Sequence, residues 1–231
     1  MELPVVSIIV SVYNGERTIA KCLDSILALD YPSFEVIVID DASTDNTMKT
    51  IYQYLGKIQY YLNLKNKGQA LSRNYGVELS AGQYIAFIDA DVVVDKNWLR
   101  ELMGSLFLIG VGGKQLCPED ATPFQKLLFS FMNRIGFITE YQSNEPRNVK
   151  HLPSCNVIYH KELFTQFGGF RDLRYGEDVE LNYRIYKERY NLLYNPKAIC
   201  YHYPPETLKA FLKKMYHYGA AQARLVKEYG I

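Results

Sequence analysis

The sequence has little of what marks several specialised classes of protein. Lysine and arginine total 26 and the acidic residues 25, so a net charge of +1 gives no basic surface for nucleic acid. No apolar run is long enough to span a bilayer, and the N-terminus lacks the basic region and cleavage site of a signal peptide. The four cysteines are far apart without a C-x-x-C pair, which excludes a disulfide scaffold and favours reduced thiols: Cys22, Cys117, Cys155 and Cys200. We therefore expect a cytoplasmic protein without a nucleic-acid partner.

What is present is an ordinary globular composition. The chain has 231 residues, of which 48% are hydrophobic and 14% aromatic, enough to bury a large core. It contains no internal repeat, low-complexity segment or evident linker. We therefore expect residues 1–231 to form a single domain.

The first half of the chain alternates between strand and helix patterns. Buried strand patterns at residues 5–12, 34–41, 58–63 and 84–89 are separated by three helical segments. This alternation predicts an α/β fold in which helices flank a mostly parallel central sheet. The second half is less regular, with a glycine-rich strand at 107–117, a helix at 177–190, a strand near 199–204 and a last helix.

One apolar stripe in the second half has two interpretations. Its residues recur at helical spacing, and we expect them to pack in the core rather than to form a surface for a lipid or a partner: Phe124, Leu128, Phe131, Ile135 and Ile138. The last predicted helix has a similar apolar side together with lysines. We expect its lysines to be solvated. Peripheral association with a membrane and a patch that faces the diphosphate stay open as the alternatives.

Polar clusters follow three of the predicted parallel strands. They read "YNGER", "DDASTD" and "DADVVVD". Ligands of such sheets bind beyond the carboxyl ends of the strands, where these loops meet. Each cluster alone is ordinary turn chemistry, but their coincidence predicts a binding site at this edge of the sheet.

Asp89 and Asp91 are the most informative pair in these clusters. If the backbone stays extended, both side chains point to one face, where the two charges repel unless a cation lies between them. A hard cation such as Mg²⁺ or Mn²⁺ would relieve this repulsion and would also hold phosphate oxygens. A calcium-binding EF-hand is excluded, because Val94 and Arg100 stand where glycine and glutamate are required.

Other acids are candidates for binding and for acid–base chemistry. The glycine-rich nucleotide motifs are absent, so a nucleotide would be held in another way, with Asp40 or Asp41 accepting from its base or ribose. In "GEDVELNYR", Glu177 and Asp178 begin a helix, where the helix dipole stabilises acids. A general base at this position and a simple helix cap both fit the pattern.

Five blocks in a fixed order give the sequence a family resemblance. They read "VSIIVSVYNGERTIAKCLDSIL", "VIVIDDASTDNT", "NKGQALSRNYGVELSAGQYIAFIDADV", "CNVIYHKELFTQFGGF" and "GEDVELNYR". In these blocks the chain resembles the inverting family 2 glycosyltransferases of the GT-A fold. The resemblance implies a Rossmann-like sheet with a smaller acceptor-side region. It also implies transfer of a sugar, with inversion, from a nucleotide diphosphate sugar to an acceptor hydroxyl or lipid phosphate.

The resemblance also implies roles for particular residues. Residues up to about 115 would bind the donor, and residues from about 116 to 231 would bind the acceptor and carry the base. The base would be Asp178, and Asp91 would ligate Mn²⁺ or Mg²⁺ directly, with Asp89 on the ribose and metal side and His202 as a further ligand. The remaining substrate-binding candidates are Tyr13, Asp40, Asp41, Arg73, Asn156 and Glu177.

Substrates and alternatives are less defined. UDP is the favoured nucleotide, and the acceptor is a glycan, a lipid-linked molecule or a protein. The Q-x-x-R-W motif of processive synthases is absent at "AAQARLV", which favours a non-processive enzyme. A sugar-1-phosphate nucleotidylyltransferase is disfavoured by the single glycine in "SVYNGERT", and a non-catalytic binding module by the intact "GED".

Overall fold

The computed structural model describes residues 5–105, 109–135 and 142–230, and its first half alternates between strands and helices as predicted. The strands are β1 (Val6–Val12), β2 (Phe34–Asp40), β3 (Gln59–Leu62), β4 (Tyr84–Asp89), β5 (Val92–Val94), β6 (Gly110–Leu116), β7 (Arg147–Val149), β8 (Asn156–His160) and β9 (Leu192–His202). The helices are α1 (Ile19–Leu27), α2 (Thr47–Ile51), α3 (Gln69–Leu79), α4 (Trp98–Gly104), α5 (Pro123–Arg134), α6 (Lys161–Gln166), α7 (Glu177–Lys187) and α8 (Leu208–Tyr229).

All of these strands belong to one nine-stranded sheet. Its order is β3-β2-β1-β4-β8-β6-β9-β5, and β7 pairs with β9 beside this path. The pairings make six strands run in one direction, while β5, β7 and β8 run in the opposite direction. The predicted α/β class and the mostly parallel central sheet are therefore confirmed. The short strands β5 and β7 have no clear signal in the sequence.

The central strand β1 is buried on both faces of the sheet. Ile8 and Val10 pack on one face with α1, while Ile9 packs on the other face with Phe87 of β4 and with α3. Because side chains alternate along a strand, one continuous apolar run supplies both cores. This arrangement fixes the carboxyl ends of β1, β2 and β4 at one edge of the sheet.

Strand β6 needs its glycines for close packing against β9. A Cβ atom on Gly113 would lie 1.9 Å from the carbonyl oxygen of Ala198, so no larger residue fits there. The register between β6 and β9 shifts between Gly113 and Lys114. The glycine-rich run that predicted this strand is therefore required because the backbones of β6 and β9 lie close together.

Some predictions about the second half are wrong. In α5, Leu128 is buried, but Phe131 is 50% and Ile135 is 59% exposed, so the stripe does not pack in the core as a whole. Ile138 lies outside the described residues. The helix predicted for 177–190 ends at Lys187. Among the described residues, no helix combines the length and the apolarity that crossing a membrane requires.

Candidate active site

A cleft of about 910 Å³ lies at the sheet edge where the polar clusters meet. Its floor comes from the ends of β1, β4 and β9 and from the start of α7, and helices α5 and α8 contribute to its walls. This volume is typical of a site for a ligand of nucleotide-sugar size. The cleft thus collects residues from both halves of the chain.

The loops after β1 and β2 form one rigid edge of the cleft. Asn14 accepts hydrogen bonds from the amide and hydroxyl of Thr44, and the Gly15 amide donates to Thr47 Oγ1 at 2.8 Å. Asn14 and Ala42 both have positive φ angles, 53° and 63°, an unusual conformation for residues other than glycine. Bonds between the two loops hold this backbone in place at the binding edge.

A turn, rather than an extended strand, brings Asp89 and Asp91 together. Strand β4 ends at Asp89, the chain turns at Ala90 and Asp91, and β5 then pairs with β9 so that Val92 faces His202. Ligand atoms of Asp89, Asp91 and His202 all lie within 4.8 Å of one another. The assumption of an extended backbone is therefore wrong, and it is strand β9 that brings the histidine beside the two acids.

The acid and the histidine of this cluster shift each other's pKa values. Burial alone would raise the pKa of Asp91, but the charge and hydrogen bond of His202, together with Lys214, lower this pKa to about 2. Burial opposes the charged form of His202, but Asp91 and Cys155 raise its pKa well above the ordinary value. Two carboxylates and an imidazole around one point are a donor set that fits a divalent cation.

Lys214 is a residue of the cleft that the sequence alone does not single out. It lies on α8 and lines the cleft, and Tyr218, Asp91 and Asp89 raise its pKa against the opposing effect of burial. Its neighbour Lys213 is exposed and does not line the cleft. Which lysine of this helix faces inward depends on how α8 packs, because sequence spacing leaves the helix rotation undefined.

Arg73 lies behind the floor of the cleft and joins two of its acids. It is fully buried, its Nη2 donates to Asp89 Oδ1 at 2.5 Å, and its Nη1 donates to Glu177 Oε1 at 2.6 Å. Gln69 Nε2 also donates to Glu177 Oε1. The structure therefore places Arg73 as a clamp that orients Asp89 and Glu177, and it does not line the cleft.

Asp178 and Glu177 are adjacent but have different environments. Asp178 lines the cleft, where its Oδ2 accepts from the Ser154 amide at 3.2 Å and lies 3.6 Å from His151 Nε2. Burial alone would raise the pKa of Asp178, but His151, the Ser154 amide and Arg73 lower it to about 2. Burial, followed by the charge of Asp178, instead raises the pKa of Glu177, and Arg73 opposes this rise. Asp178 is thus an ionised carboxylate in the cleft.

Two of the other predicted site residues line the cleft. Tyr13 is 52% exposed at the cleft, and Asp41 also lines it. Asp41 additionally accepts from the amides of Lys67 and Gly68, so it shapes the loop before α3.

Two predicted residues do not reach the cleft. Asp40 is fully buried and accepts from the Ser43 amide and the Tyr60 hydroxyl. Asn156 is fully buried and accepts from Trp98 Nε1 at 2.7 Å, and it does not line the cleft.

Two further polar contacts lie outside the cleft. Arg184 Nη2 lies 2.7 Å from Glu180 Oε2, a pairing of residues four positions apart on α7. Helix α4 has Asn97 as its N-cap, and Asp95, two residues earlier, accepts from the Asn97 amide and is not part of the cation cluster.

The mixed sheet with this acid-lined cleft at its edge has the architecture of the GT-A fold. The family model described as "Glycosyl transferase family 2" matches residues 7–168, which is more than half of the sequence. The chain therefore belongs to glycosyl transferase family 2, and the predicted family is confirmed.

Known proteins support this assignment. The chain is 25% identical over 216 residues to the poly-beta-1,6-N-acetyl-D-glucosamine synthase of Staphylococcus epidermidis, covering 90% of this chain and 52% of that protein. The chain thus spans about half the length of this curated relative.

Two solved structures share the fold. TarS of S. aureus, residues 1–349 in complex with UDP-GlcNAc, gives a TM-score of 0.67 at 21% identity, over 87% of this chain and 59% of that 1–349 chain. The mannosyltransferase PcManGT from Pyrobaculum calidifontis, in complex with GDP-Man and Mn²⁺, gives a TM-score of 0.68 at 22% identity. The match covers 89% of this chain and 58% of that chain. At these identities the likeness establishes the fold alone.

Proposed function

We propose that this domain transfers a sugar, with inversion at the anomeric carbon, from a nucleotide diphosphate sugar to an acceptor. The acceptor group is a hydroxyl or a lipid phosphate, and the preferred nucleotide is UDP. The observation that carries the proposal is the presence, in one cleft, of a three-residue cation cluster and a separate ionised carboxylate, Asp178. Leaving-group stabilisation and acceptor activation are the two tasks of such a reaction, and each has its own residues here.

The donor is proposed to bind along the edge formed by the loops after β1 and β2. Tyr13 and Asp41 line this edge and offer an aromatic face and a carboxylate to the base and ribose. The diphosphate then extends toward Asp89 and Asp91. Residues up to about 115 supply the donor side, while α5, α7 and α8 surround the acceptor side.

A divalent cation, Mn²⁺ or Mg²⁺, is proposed to be held by Asp91, Asp89 and His202. The imidazole in this donor set favours Mn²⁺, because Mg²⁺ prefers oxygen ligands. When bound, such a cation neutralises negative charge on phosphate oxygens. Arg73 keeps Asp89 in position, and Lys214 adds a positive charge from α8.

The proposed chemical step is one displacement. Asp178 takes the proton of the acceptor group while the acceptor oxygen forms a bond to the anomeric carbon. The bond between this carbon and the diphosphate oxygen breaks, and its electron pair leaves with the nucleotide diphosphate. Single displacement from the opposite face gives inversion without a covalent intermediate between sugar and enzyme.

The direct test is to measure the release of nucleotide from a panel of UDP, GDP and dTDP sugars with and without Mn²⁺. We expect one class of donor to be consumed, only with the cation. The same donor should raise the melting temperature in the presence of Mn²⁺, because a ligand that binds only the folded state stabilises it. Neither consumption nor stabilisation by any donor in the panel would contradict the proposal.

Lys214→Ala is expected to weaken the binding of UDP and of the donor by about tenfold or more, because a charge-assisted contact to phosphate is lost. Lys213→Ala is the matched control, since it removes the same charge from an exposed position on the same helix. Isothermal calorimetry in the presence of Mn²⁺ measures both affinities. Equal affinities of the two variants would remove Lys214 from the site.

A further inference from the structure

Two exposed apolar stripes run along helices α5 and α8. The α5 stripe consists of Leu127, Phe131 and Ile135, which are 69%, 50% and 59% exposed. The α8 stripe consists of Leu208, Leu212 and Tyr216, which are 57%, 57% and 74% exposed. In both stripes the residues are four positions apart, so they lie along one side of the helix. Such aligned exposure of large apolar side chains indicates an interaction surface.

The charged residues within the two stripe segments have a single sign. Residues 123–135 and 208–227 contain seven lysines and arginines and no acidic residue. Of the acids next to these segments, Asp120 is paired with Lys21, Glu206 with Arg17 and Glu228, on α8 itself, with Arg171, while Glu119 is exposed. Across the described parts of the chain, the cations beside the stripes form no salt bridge: Lys126, Arg134, Lys209 and Lys213.

Both helices also border the candidate active site. Phe129 and Met132 of α5 line the cleft, as do Phe211 and Met215 of α8. The segment before α8 is tied to α5, because Gln125 Nε2 donates to the carbonyl of Pro204 at 2.6 Å. Each helix therefore turns one side to the cleft and presents its stripe outward from the cleft wall.

We propose that the α5 and α8 stripes dock this domain on an anionic lipid bilayer, beside the opening of the cleft. Apolar side chains with interleaved cations are the pattern of helices that lie in the membrane interface. The unpaired lysines match anionic headgroups, whereas lysine is depleted at interfaces between proteins. In combination with the proposed function, this geometry makes a membrane-borne molecule the acceptor that reaches the cleft most directly.

Vesicle co-sedimentation of the whole chain tests the surface without requiring catalysis. We expect binding to vesicles of phosphatidylcholine mixed with phosphatidylglycerol, weaker binding to pure phosphatidylcholine, and a decline as salt increases. Phe131→Ser combined with Ile135→Ser, and separately Leu212→Ser combined with Tyr216→Ser, should each reduce the partition coefficient by about tenfold or more.

Matched controls carry the same changes on another surface. Leu62→Ser combined with Leu64→Ser alters residues at the end of β3 and just after it, which are 49% and 99% exposed, and should leave vesicle binding unchanged. For charge, Lys209→Glu combined with Lys213→Glu should lower binding to the anionic vesicles, while Lys57→Glu combined with Lys65→Glu should not. The charge pairs are exposed in both cases. Thermal unfolding checks that every variant keeps its fold.

The outcomes separate this proposal from the proposed function. Vesicle binding that the stripe variants lose supports the membrane surface, even if no donor is consumed. Equal binding to anionic and neutral vesicles, or unchanged binding by the stripe variants, overturns it. Self-association of the chain that depends on the stripes, seen by analytical ultracentrifugation without vesicle binding, also overturns it in favour of contact between two copies.

Discussion

Asp178→Asn is expected to lower the rate of sugar transfer by about 10²- to 10⁴-fold while the binding of the donor with Mn²⁺ stays near normal. The carboxylate is ionised and lies in the cleft, as a proton acceptor requires. An asparagine of the same shape removes the basic oxygen but changes the volume little. The measurement is the turnover of donor and acceptor, combined with calorimetry of donor binding.

The change at Asp178 also alters local contacts, so a control is needed. Its two carboxylate oxygens accept from the amides of Ser154 and Val179, and an asparagine can replace only one of these acceptors. Asp172→Asn makes the same chemical change at an exposed position shortly before α7 and should leave transfer unchanged. Near-normal turnover by Asp178→Asn would exclude it as the base.

Asp91→Ala is expected to abolish donor binding that depends on Mn²⁺. Three ligand atoms within 4.8 Å of one another cannot be maintained when the central acid of the cluster is lost. His202 would also lose the partner that lies 3.4 Å from its Nε2. Because the cation and the diphosphate bind together, donor affinity falls with the cation. Calorimetric titration of the donor with and without Mn²⁺ measures this dependence.

Asp95→Ala is the matched control for the cation site. It removes an acid from the same loop, but one that accepts from the Asn97 amide outside the cluster. We expect this variant to keep Mn²⁺-dependent donor binding. If Asp91→Ala kept the wild-type affinity for the donor with Mn²⁺, the assignment of the cation cluster would be wrong.

The two predictions differ in the step that they affect. Loss of Asp91 should prevent the binding of the donor, whereas loss of Asp178 should prevent only the transfer from a bound donor. This separation follows from the geometry, since Asp91 lies after β4 and Asp178 begins α7. Both acids line the same cleft, and the sugar to be transferred is proposed to lie between them.

The two adjacent acids at the start of α7 have different roles because their side chains point in different directions. Both acids line the cleft, but Glu177 is almost fully buried and accepts from Arg73 and Gln69, while Asp178 accepts from the Ser154 amide. Successive side chains on a helix point about 100° apart, so neighbours enter different surroundings. The first acid therefore links α7 to α3, and the second is available for chemistry.

The sequence by itself determined the class of the fold and the edge at which the site forms. Buried strand patterns followed by "YNGER", "DDASTD" and "DADVVVD" place polar loops beyond the carboxyl ends of parallel strands. These patterns are local, because alternation and turn chemistry depend on neighbouring residues. The family resemblance and the acids Asp89, Asp91 and Asp178 can therefore be recognised from the sequence alone.

Only the tertiary structure decided which polar residues face the cleft. Arg73, Asp40 and Asn156 sit in motifs or at strand ends, but each is buried among partners that are distant in the chain. Lys214 lines the cleft and Lys213 is exposed because of how α8 is rotated about its own axis. The α5 stripe has core-like spacing, but no element covers Phe131 and Ile135 within the described residues. Burial depends on what packs against a face, and this information comes from contacts between remote segments rather than from local pattern.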